Sequence, residues 1–483
     1  TLREQSSRDG IACMIETAAQ AQKAVDALRT AEWVAYDTET VGQLFNRDFQ
    51  VISLAISARD GEDAFVWSGE SLTRQEVIQP LLELMEDPSV LKVAQNAKYD
   101  ANAMYSGFGI HVDGLHLDTR LVRKILEPES MAKLEILQEQ VGMGGGKELA
   151  IQAIDAIKKK LKKATSDVEL AEIGPIQWTK RLKDPEKPIA LGVYAYGLMD
   201  SVVRDRYCAR DTVSTARVAE LYEERLAGTS IKTVWNDIML PAAKAIERVE
   251  RWGVAVDKHF VDKFNFSVHK ALHETEQKLF ADGEFNLNST AELGHILYKN
   301  LKLPVVSKTA KGKPSTDKAT LDQLAGLSNL SGKQKQFLEA MLAYRKLAKL
   351  HSSYSTKLGS FIRDDGRVHP SFNLVGARSG RISCSDPNVQ QIPRADNELA
   401  AMARNCFTAP KGRVLVQVDY SQLELRIAAM LSNDTNMIDV FKSGEDYHLR
   451  TAQLISKQAW GIAPEEVTKV HRTAAKSVNF GLL

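Results

Sequence analysis

The sequence has 483 residues, of which 44% are hydrophobic and 26% are charged, and its formal net charge is +1. A chain of this length exceeds a single hydrophobic core, so two or three domains are expected. No run of 18 apolar residues occurs, which excludes a plain membrane span, and the balanced charge gives no direct argument for nucleic-acid binding, although local basic clusters remain compatible with it. Four scattered cysteines without a CxxC pair predict neither a zinc site nor disulfides and favour a reducing cytoplasm.

The first part of the chain has the pattern of an α/β domain. Residues 31–38 and 51–58 are apolar and rich in strand-forming side chains, which predicts two buried strands. Residues 74–86 and 93–106 have helical patterns. The mixture predicts a sheet that packs against helices.

A lysine-rich helix is predicted after the glycine triplet of residues 144–146. Its cluster consists of Lys158, Lys159, Lys160, Lys162 and Lys163. A solvated lysine face is the favoured interpretation, and a surface that contacts DNA is the alternative.

The rest of the chain is mostly helical, with one further predicted strand. Helices are predicted over 202–226, from Ile231 to Gly253, over 331–360, and over 464–483, where Pro464 and Glu465 would open the last one. Ser289 and Glu292 have capping-box spacing, and residues 307–318 form a basic loop. Residues 414–420 (VLVQVDY) predict a buried strand that runs into a helix.

Two acidic residues end the first predicted strand. Asp37 and Glu39 are two apart, so their carboxylates point to the same face and can reach one metal site. Alone, this pattern is weak, because most DxE pairs lie at ordinary surface strand ends.

Two more segments strengthen this pattern. Asn96 and Asp100 are four apart on a predicted helix, as are Tyr207 and Asp211, so each pair shares one helical face. Four acids from three segments can hold two divalent metal ions, which activate a water and stabilise the leaving oxygen of a phosphodiester. A tyrosine hydroxyl can orient the attacking water.

The order DTE, NxxxD and YxxxD resembles the DnaQ-like 3′→5′ exonuclease domain of polymerase I relatives. The resemblance implies four metal ligands and one water-positioning residue, which are Asp37, Glu39, Asp100, Asp211 and Tyr207. Tyr196 and Asp200 also fit YxxxD, but YCARDT around Tyr207 is closer to the family sequence. Asp118, in HLDTR, resembles another family acid, and a helix cap or ion pair explains it at least equally well.

The later motifs resemble those of family A DNA polymerases. Residues 377–393 resemble the segment that lines the primer–template minor groove, which implies DNA contacts by Arg381, Asn388 and Gln390. Read alone, this stretch is only a polar loop.

Residues 414–434 closely resemble motif A of the same family, centred on DYSQLELR. The resemblance implies that Asp419 and the Tyr420 carbonyl bind metal and that Glu424 excludes ribonucleotides as a steric gate. Arg426 would support the site by ion pairing.

Residues 444–452 and 471–483 resemble the nucleotide-binding segments, the second being motif B. His448 would approach the incoming triphosphate. Arg472, Lys476 and Phe480 share one helical face, with the two cations on the triphosphate oxygens and Phe480 near the sugar and base. Lys476 would also donate a proton to the leaving pyrophosphate.

The resemblance implies a fold class and a domain order. We expect an α/β exonuclease domain at 1–228, RNase H-like with a mixed sheet and helices. An α+β polymerase domain follows, with its start and a helical thumb at 229–360, and with a partial palm and the N-terminal part of the fingers, carrying motifs A and B but no motif C, at 361–483.

The implied function is DNA-templated DNA synthesis with 3′→5′ proofreading. It would use two Mg²⁺ ions per site, with Mn²⁺ as a substitute, and the implied partners are primer–template DNA, single-stranded 3′ ends and dNTPs. The family motif B continues FGxxYG, whereas this sequence ends at Leu483, so we expect an incomplete polymerase site that leaves only exonuclease activity and DNA binding. The alternative is the N-terminal half of a split polymerase that needs a C-terminal partner chain.

Overall fold

The structure is a computed structural model that describes residues 11–144, 148–183, 190–281 and 283–481. It divides into two compact units, Thr1–Lys411 and Gly412–Leu483. None of the helices in these described ranges combines the length and hydropathy that a bilayer crossing requires.

The first unit begins with a six-stranded mixed sheet in the order β1-β4-β3-β2-β5-β6. Its strands are β1 Ala12–Met14, β2 Val34–Val41, β3 Gln50–Ala58, β4 Ala64–Ser68, β5 Lys92–Ala94 and β6 Leu115–Asp118. β2 and β3 pair antiparallel at the centre, while β2 and β5 are parallel. The two strands predicted in this domain are therefore confirmed, although the first begins at Val34 rather than at residue 31, and helices cover both of their faces, as the apolar runs require.

Helices pack on each face of this sheet. They are α1 Ala18–Arg29, α2 Gln75–Glu86, α3 Ala97–Phe108, α4 Thr119–Leu126, α5 Leu134–Gln140 and α9 Ser201–Leu226. The predicted helix at 93–106 is wrong at its start, because β5 is held in the sheet between β2 and β6 and the helix begins only at Ala97. The predictions at 74–86 and 202–226 are confirmed to within a residue.

Three short helices form a subdomain that we call the helical cap, residues 148–183. They are α6 Glu148–Lys163, α7 Asp167–Ile173 and α8 Ile176–Lys183. Ile157 and Leu161 of α6 lie in a separate hydrophobic cluster that also includes Tyr196 and Tyr207. The cap thus has its own small core, which it shares with the start of α9.

The remainder of the first unit is helical with short two-stranded pairings. Its elements are α10 Ser230–Val234, α11 Leu240–Trp252, β7 Val254–Ala255, α12 Lys258–Leu279, α13 Thr290–His295, α14 Lys318–Ala325, α15 Gly332–Leu350, α16 Leu358–Phe361, β8 Arg367–Val368, β9 Ser371–Asn373, β10 Ser383–Ser385 and α17 Glu398–Asn405. Gly253 ends α11 at φ +63°, and the Ser289 side chain caps α13, as predicted. A second large core lies between α12 and α15.

The second unit contains four helices and no strand among its described residues. The helices are α18 Leu423–Ser432, α19 Thr435–Lys442, α20 Tyr447–Trp460 and α21 Lys469–Gly481. The predicted buried strand at 414–420 is wrong: the segment is not in a sheet, and its side chains are exposed, Val418 by 84%. The reason is that a strand needs a hydrogen-bonded neighbour, and no described strand pairs with this one.

The last helix also starts later than predicted. Pro464–Glu466 forms a single 3₁₀ turn, and the α-helix begins at Lys469. The backbone N–H of Ala463 is satisfied by the Glu466 side chain, so this turn closes on itself before the helix starts. Residues 482 and 483, predicted in this helix, lie outside the described residues.

A buried ion pair ties the sheet domain to the helices that follow it. The Lys98 ammonium on α3 contacts the Glu250 carboxylate on α11 and the Phe372 carbonyl, and Glu250 also accepts the Phe372 N–H at 2.6 Å. Burial raises the pKa of Glu250, and Lys98 opposes that rise. Each partner therefore neutralises a charge that would be costly to bury alone at this junction.

Replacing Lys98 by Met should strand the Glu250 charge and lower the free energy of unfolding by roughly 2–4 kcal/mol. The double variant Lys98→Met/Glu250→Gln removes that charge, retains an acceptor for Phe372, and should recover most of the loss. Urea unfolding measures both. Equal losses in the single and double variants would show that the buried charge is not the cause.

Candidate active sites

The central strand β2 carries the first two acids. Asp37 pairs with Ala55 and Glu39 with Ser53 of β3, and the register shifts immediately after Glu39. Both side chains point to the face covered by α9, since their oxygens and the Cys208 thiol all lie within 4.8 Å of one another. Asp37 and Glu39 therefore lie on one face of β2, as their two-residue spacing predicted.

Asp100 and Asp211 come from the two helices that flank β2. The Asp100 carboxylate on α3 is buried and accepts hydrogen bonds from the Thr38 N–H (3.1 Å) and hydroxyl (2.6 Å). Asp211 on α9 is also buried and accepts a bond from the Gln138 amide at 2.8 Å. Thr38 lies between Asp37 and Glu39, so these bonds hold α3 against the strand that bears the other acids.

The electrostatics show that the four carboxylates act on one another. Burial raises the pKa of Asp37 well above its usual range, and Asp100, Glu39 and Asp211 raise it further. Burial also raises the pKa of Glu39, with Asp211 and Asp100 adding to the effect, while Arg204 opposes it. For Asp100, burial raises the pKa to about 7 against the hydrogen bonds from Thr38. This is the charge pattern that a divalent cation would relieve.

The donor set fits a hard divalent ion. Carboxylate oxygens are the ligands that Mg²⁺ and Mn²⁺ prefer, whereas a thiol suits softer metals. Burial and the nearby Asp37 raise the pKa of Cys208, so its thiol stays protonated, with Sγ 3.5 Å from the Asp37 carbonyl oxygen. Cys208 is therefore a packing neighbour of the carboxylates rather than a candidate ligand.

Two tyrosines stand beside the acids. The rings of Tyr196 and Tyr207 are stacked, with centroids 5.8 Å apart. Burial and the nearby Asp211 raise the pKa of Tyr207, so its hydroxyl is a proton donor at any ordinary pH. Tyr196 was considered only as part of a competing YxxxD motif, and its place in the site was missed, because stacking across separate segments leaves no trace in spacing.

The competing acids occupy other positions. Asp200 is exposed and caps α9, accepting the Val202 N–H at 3.0 Å. Asp118 is buried and accepts backbone N–H groups of Arg120 and Leu121 at the start of α4, and also those of Asn96 and Ala97. The cap interpretation of Asp118 is thus correct, and this cap joins α4 to α3.

A cavity of about 530 Å³ opens next to Tyr207 and Asp211. Basic side chains line it, namely Arg120, Lys124 and Lys133. The Arg120 guanidinium also donates to the Asn96 side-chain oxygen at 2.8 Å. Sequence analysis missed these cations, together with Gln138 and Thr38, since single polar residues on separate elements carry no recognisable spacing.

The proposed minor-groove segment, residues 377–393, is largely exposed and contains the short strand β10, which pairs with β9, and a 3₁₀ turn. Arg381 and Gln390 are exposed, and Asn388 caps a 3₁₀ turn by accepting the Gln390 N–H at 3.2 Å. The Asn388 carbonyl accepts the Tyr354 hydroxyl at 3.0 Å, which fixes this part of the segment on the helical core.

In the second unit, the predicted site residues of motif A are exposed. Asp419 and Tyr420 are exposed on the extended segment, and Glu424 is in the first turn of α18. Arg426 was expected to form an ion pair. Its guanidinium instead stacks on Phe441 at 4.7 Å and donates to the Ser421 carbonyl at 2.8 Å.

Four of the five predicted nucleotide-binding residues lie on α20 and α21, which pack against each other, whereas Glu424 lies on α18. His448 is buried, 3.0 Å from the Asn479 amide and 5.7 Å from the Phe480 ring. The Lys476 ammonium lies 5.8 Å over the same ring. Asn479 was missed by sequence analysis.

Arg472 lies on the same helix as Lys476 and forms a two-point contact with Asp446 at 2.6 and 3.0 Å. Asp446 also caps α20, so this contact anchors α21 to the start of its neighbour. Asp446 was likewise missed by sequence analysis.

Comparison with known proteins finds two family matches along the chain. Residues 12–226 match the 3′-5′ exonuclease family and residues 258–483 match DNA polymerase family A. The fold and the carboxylate cluster thus define an exonuclease domain placed ahead of a polymerase domain. The chain belongs to the DNA polymerase I family of family A DNA polymerases.

Two relatives match more than half of this chain and are themselves longer than it. It is 32% identical to DNA polymerase I of Pseudomonas aeruginosa over 94% of the chain and 46% of that protein. It is 37% identical to the thermostable DNA polymerase I of Thermus aquaticus over 52% of the chain and 29% of that protein. The chain therefore spans about half the length of the P. aeruginosa relative and less of the T. aquaticus one.

A solved structure shares the fold. It is the POL domain of Pol1 from M. smegmatis in complex with DNA primer-template and dNTP, with a TM-score of 0.71 and 22% identity. The match covers 97% of this chain and 71% of that one. The expected fold class, a mixed-sheet exonuclease domain followed by a helical polymerase domain, is confirmed.

Asp100→Asn should stabilise the metal-free protein. The pKa of about 7 exceeds the unfolded value of about 3.9, so this carboxyl costs stability as pH rises from about 4 to 7. In EDTA at pH 8 the variant should gain roughly 2–4 kcal/mol of unfolding free energy, and the gain should vanish near pH 4.

Thermal unfolding in EDTA and in excess Mg²⁺ measures this effect. Asp26→Asn, an exposed acid on α1, is the matched control and should change little in either buffer. Mg²⁺ should reverse the ranking of the Asp100 variant and wild type, because bound metal stabilises only the protein that keeps its ligand. A variant less stable than wild type in EDTA would contradict the argument that burying the Asp100 charge costs stability.

Proposed function

We propose that the chain removes nucleotides from DNA 3′ ends with the exonuclease domain of residues 1–228. The observation that carries this proposal is the buried meeting of Asp37, Glu39, Asp100 and Asp211 beside Tyr207. A structural role alone does not account for this grouping, in which Glu39, Asp100 and Asp211 are buried and Asp37 is half-buried, because unpaired buried charge is costly.

The four carboxylates would hold two Mg²⁺ ions, for which Mn²⁺ can substitute. When bound, such ions activate a water and stabilise the leaving 3′-oxygen. The protein's own groups supply orientation: the Tyr207 hydroxyl, protonated at working pH, can donate to the phosphate or align the water. The basic cavity lined by Arg120, Lys124 and Lys133 suits the backbone of a single-stranded 3′ end.

The second proposed activity is DNA-templated DNA synthesis from primer–template DNA and dNTPs, as the family implies. Residues 229–360 would form the thumb and 361–483 part of the palm and fingers. Arg381, Asn388 and Gln390 would contact duplex DNA. The cluster of His448, Arg472, Lys476 and Phe480 would bind the dNTP, with Lys476 as the proton donor and Glu424 as the gate.

The chain of residues 1–483 would work chiefly as an exonuclease that binds DNA. Asp419 and the Tyr420 carbonyl, the proposed metal ligands for synthesis, lie on an exposed segment outside any sheet. An alternative is that a partner polypeptide completes this site. The exposed apolar side chains of that segment, among them Val414, Val416 and Val418, favour it. The cytoplasm is the proposed compartment.

The exonuclease proposal predicts loss of Mg²⁺-dependent cleavage in Asp37→Ala/Glu39→Ala. Removing ligands worth about 4 kcal/mol of barrier should slow the reaction roughly 10³-fold or more. Release of single nucleotides from 5′-labelled oligonucleotides measures the rate, with circular dichroism to verify folding. Degradation at the wild-type rate would refute the assignment.

The two YxxxD motifs provide a matched comparison. Asp211→Ala should be as damaging as the double variant, whereas Asp200→Ala should lose only a helix cap, about 1 kcal/mol of stability, and keep its activity. Tyr207→Phe should lower the cleavage rate with metal binding retained. Activity in Asp211→Ala together with its loss in Asp200→Ala would reverse the choice of ligand.

Primer extension tests the second activity. In an Asp37→Ala/Glu39→Ala background, residues 1–483 should bind primer–template but not extend it, since one exposed acid does not hold two metal ions. Robust extension would show that the polymerase site is complete within this chain. In that event Glu424→Ala should relax ribonucleotide exclusion by opening space for a 2′-hydroxyl, and unchanged dNTP/rNTP selectivity would refute the gate role.

A further inference from the structure

The helical cap has a charge pattern that packing does not explain. Residues 148–183 include eight basic and five acidic side chains, against a net charge of +1 for the whole sequence. Leu161 and Ile157 face the cap's core, and at 100° per residue Lys159, Lys162 and Lys163 fall on the side of α6 opposite that core, while Lys160 lies at its flank. All four of these lysines are exposed.

Three of the five acids in the helical cap already interact with groups other than these four lysines. Asp155 pairs with Lys158 at 3.0 Å, Asp167 pairs with Lys180 at 2.5 Å, and Glu169 caps the start of α7. Among the residues that the structure describes, the four lysines have no ion-pair partner. Like charges three and four apart cost a helix a few tenths of a kcal/mol each, and the helix dipole favours a cation in the last turn without requiring four.

Contacts fix the basic end of the cap next to the strand that carries Asp37 and Glu39. Lys183 on α8 donates to the Ala164 carbonyl, directly after the lysine run. Two residues earlier, Arg181 contacts Asp48 in the loop after β2 and donates to the Tyr194 hydroxyl at 2.6 Å.

The polypeptide next to Tyr194 completes the attachment. The Gly42 N–H, at the end of β2, donates to the Val193 carbonyl at 2.9 Å. Gly197 packs so closely on Val41 and Trp178 that a Cβ there would lie 2.5 and 2.7 Å from their side chains. The cap is thus held on both sides of the segment that leaves β2.

The cap is also a wall of the active site. Tyr196 and Tyr207, which stand beside the four carboxylates, are part of the hydrophobic cluster that α6 and α7 complete. A DNA strand whose 3′ nucleotide lies at the carboxylates therefore has this subdomain as a neighbour. Its exposed lysines match the spacing-tolerant phosphate recognition that single strands need.

We propose that this lysine face binds the backbone phosphates of single-stranded DNA several nucleotides from the 3′ end that is cleaved. The inference rests on the proposed exonuclease function and deepens it, because it names a second contact region for the same substrate. Phosphate contacts of this kind give affinity without sequence preference and weaken with salt.

The test replaces all four lysines by glutamine in the full chain and compares two substrates, a dT12 oligonucleotide and a dT3 trinucleotide, in Mg²⁺. For dT12 we expect KM to rise roughly tenfold with kcat unchanged, and for dT3, too short to reach the lysine face, no change. The matched control replaces the same lysines by arginine, keeps the charge, and should behave as wild type. Glutamine retains helix propensity, so α6 should stay folded.

Fluorescence anisotropy with labelled dT12 in EDTA separates this proposal from the exonuclease proposal. The glutamine variant should bind more weakly than wild type, and its salt slope should fall by about 0.7 for each phosphate that it no longer binds. If no variant cleaves DNA but this difference persists, the exonuclease proposal fails and the lysine face stands. Equal binding and equal dT12 kinetics, or equal losses on dT3 and dT12, would overturn the lysine face and leave a solvated surface or a site for an acidic protein.

Discussion

The first unit is organised around the repulsion between carboxylates that share one buried volume. Asp37, Glu39 and Asp100 all have raised pKa values, with burial as the largest cause, and neighbouring carboxylates raise them further. Such a cluster persists only if the surrounding structure enforces it. Hydrogen bonds fix two of these carboxylates in place: the Thr38 N–H and hydroxyl donate to Asp100, and the Gln138 amide donates to Asp211. The sheet, α3 and α9 therefore have to fold together before the site exists.

The acids of this site could be predicted from sequence because each pair obeys a local period. Asp37 and Glu39 follow the strand period of two, and Tyr207 and Asp211 follow the helical spacing of four. The order of the three segments then identified the family. What spacing could not supply is the contact between elements: Tyr196 stacks on Tyr207, and Asp118 joins two helices, only because the chain folds back on itself. Local sequence drew attention to both residues but could not show these contacts.

The wrong strand prediction at residues 414–420 also arises because local sequence does not show which elements contact one another. An apolar, β-branched run predicts a strand, but the prediction concerns only what the segment would do beside a partner. In the described structure it has no strand to pair with, and Val418 stays exposed. At 93–106 the opposite happened: β5 formed within a helical pattern because β2 and β6 offered it two neighbours. In both cases pairing outweighed the local preference.

The two metal-binding proposals differ in how strongly the protein itself drives binding. Glu39 is buried and Asp37 is half-buried, so a bound cation would replace mutual repulsion with attraction in a medium that screens less than bulk water. Asp419 remains in water, where hydration already satisfies its charge and a cation gains little by approaching it. Folding has therefore already removed much of the hydration of the Asp37 and Glu39 site. Asp419 would still have to lose its hydration when a cation binds. The same reasoning explains why an accessory DNA contact on the cap would be useful to the proposed exonuclease site. A preformed site still needs affinity for a substrate that offers only repeating phosphates. Exposed lysines would supply that affinity without disturbing the buried acids.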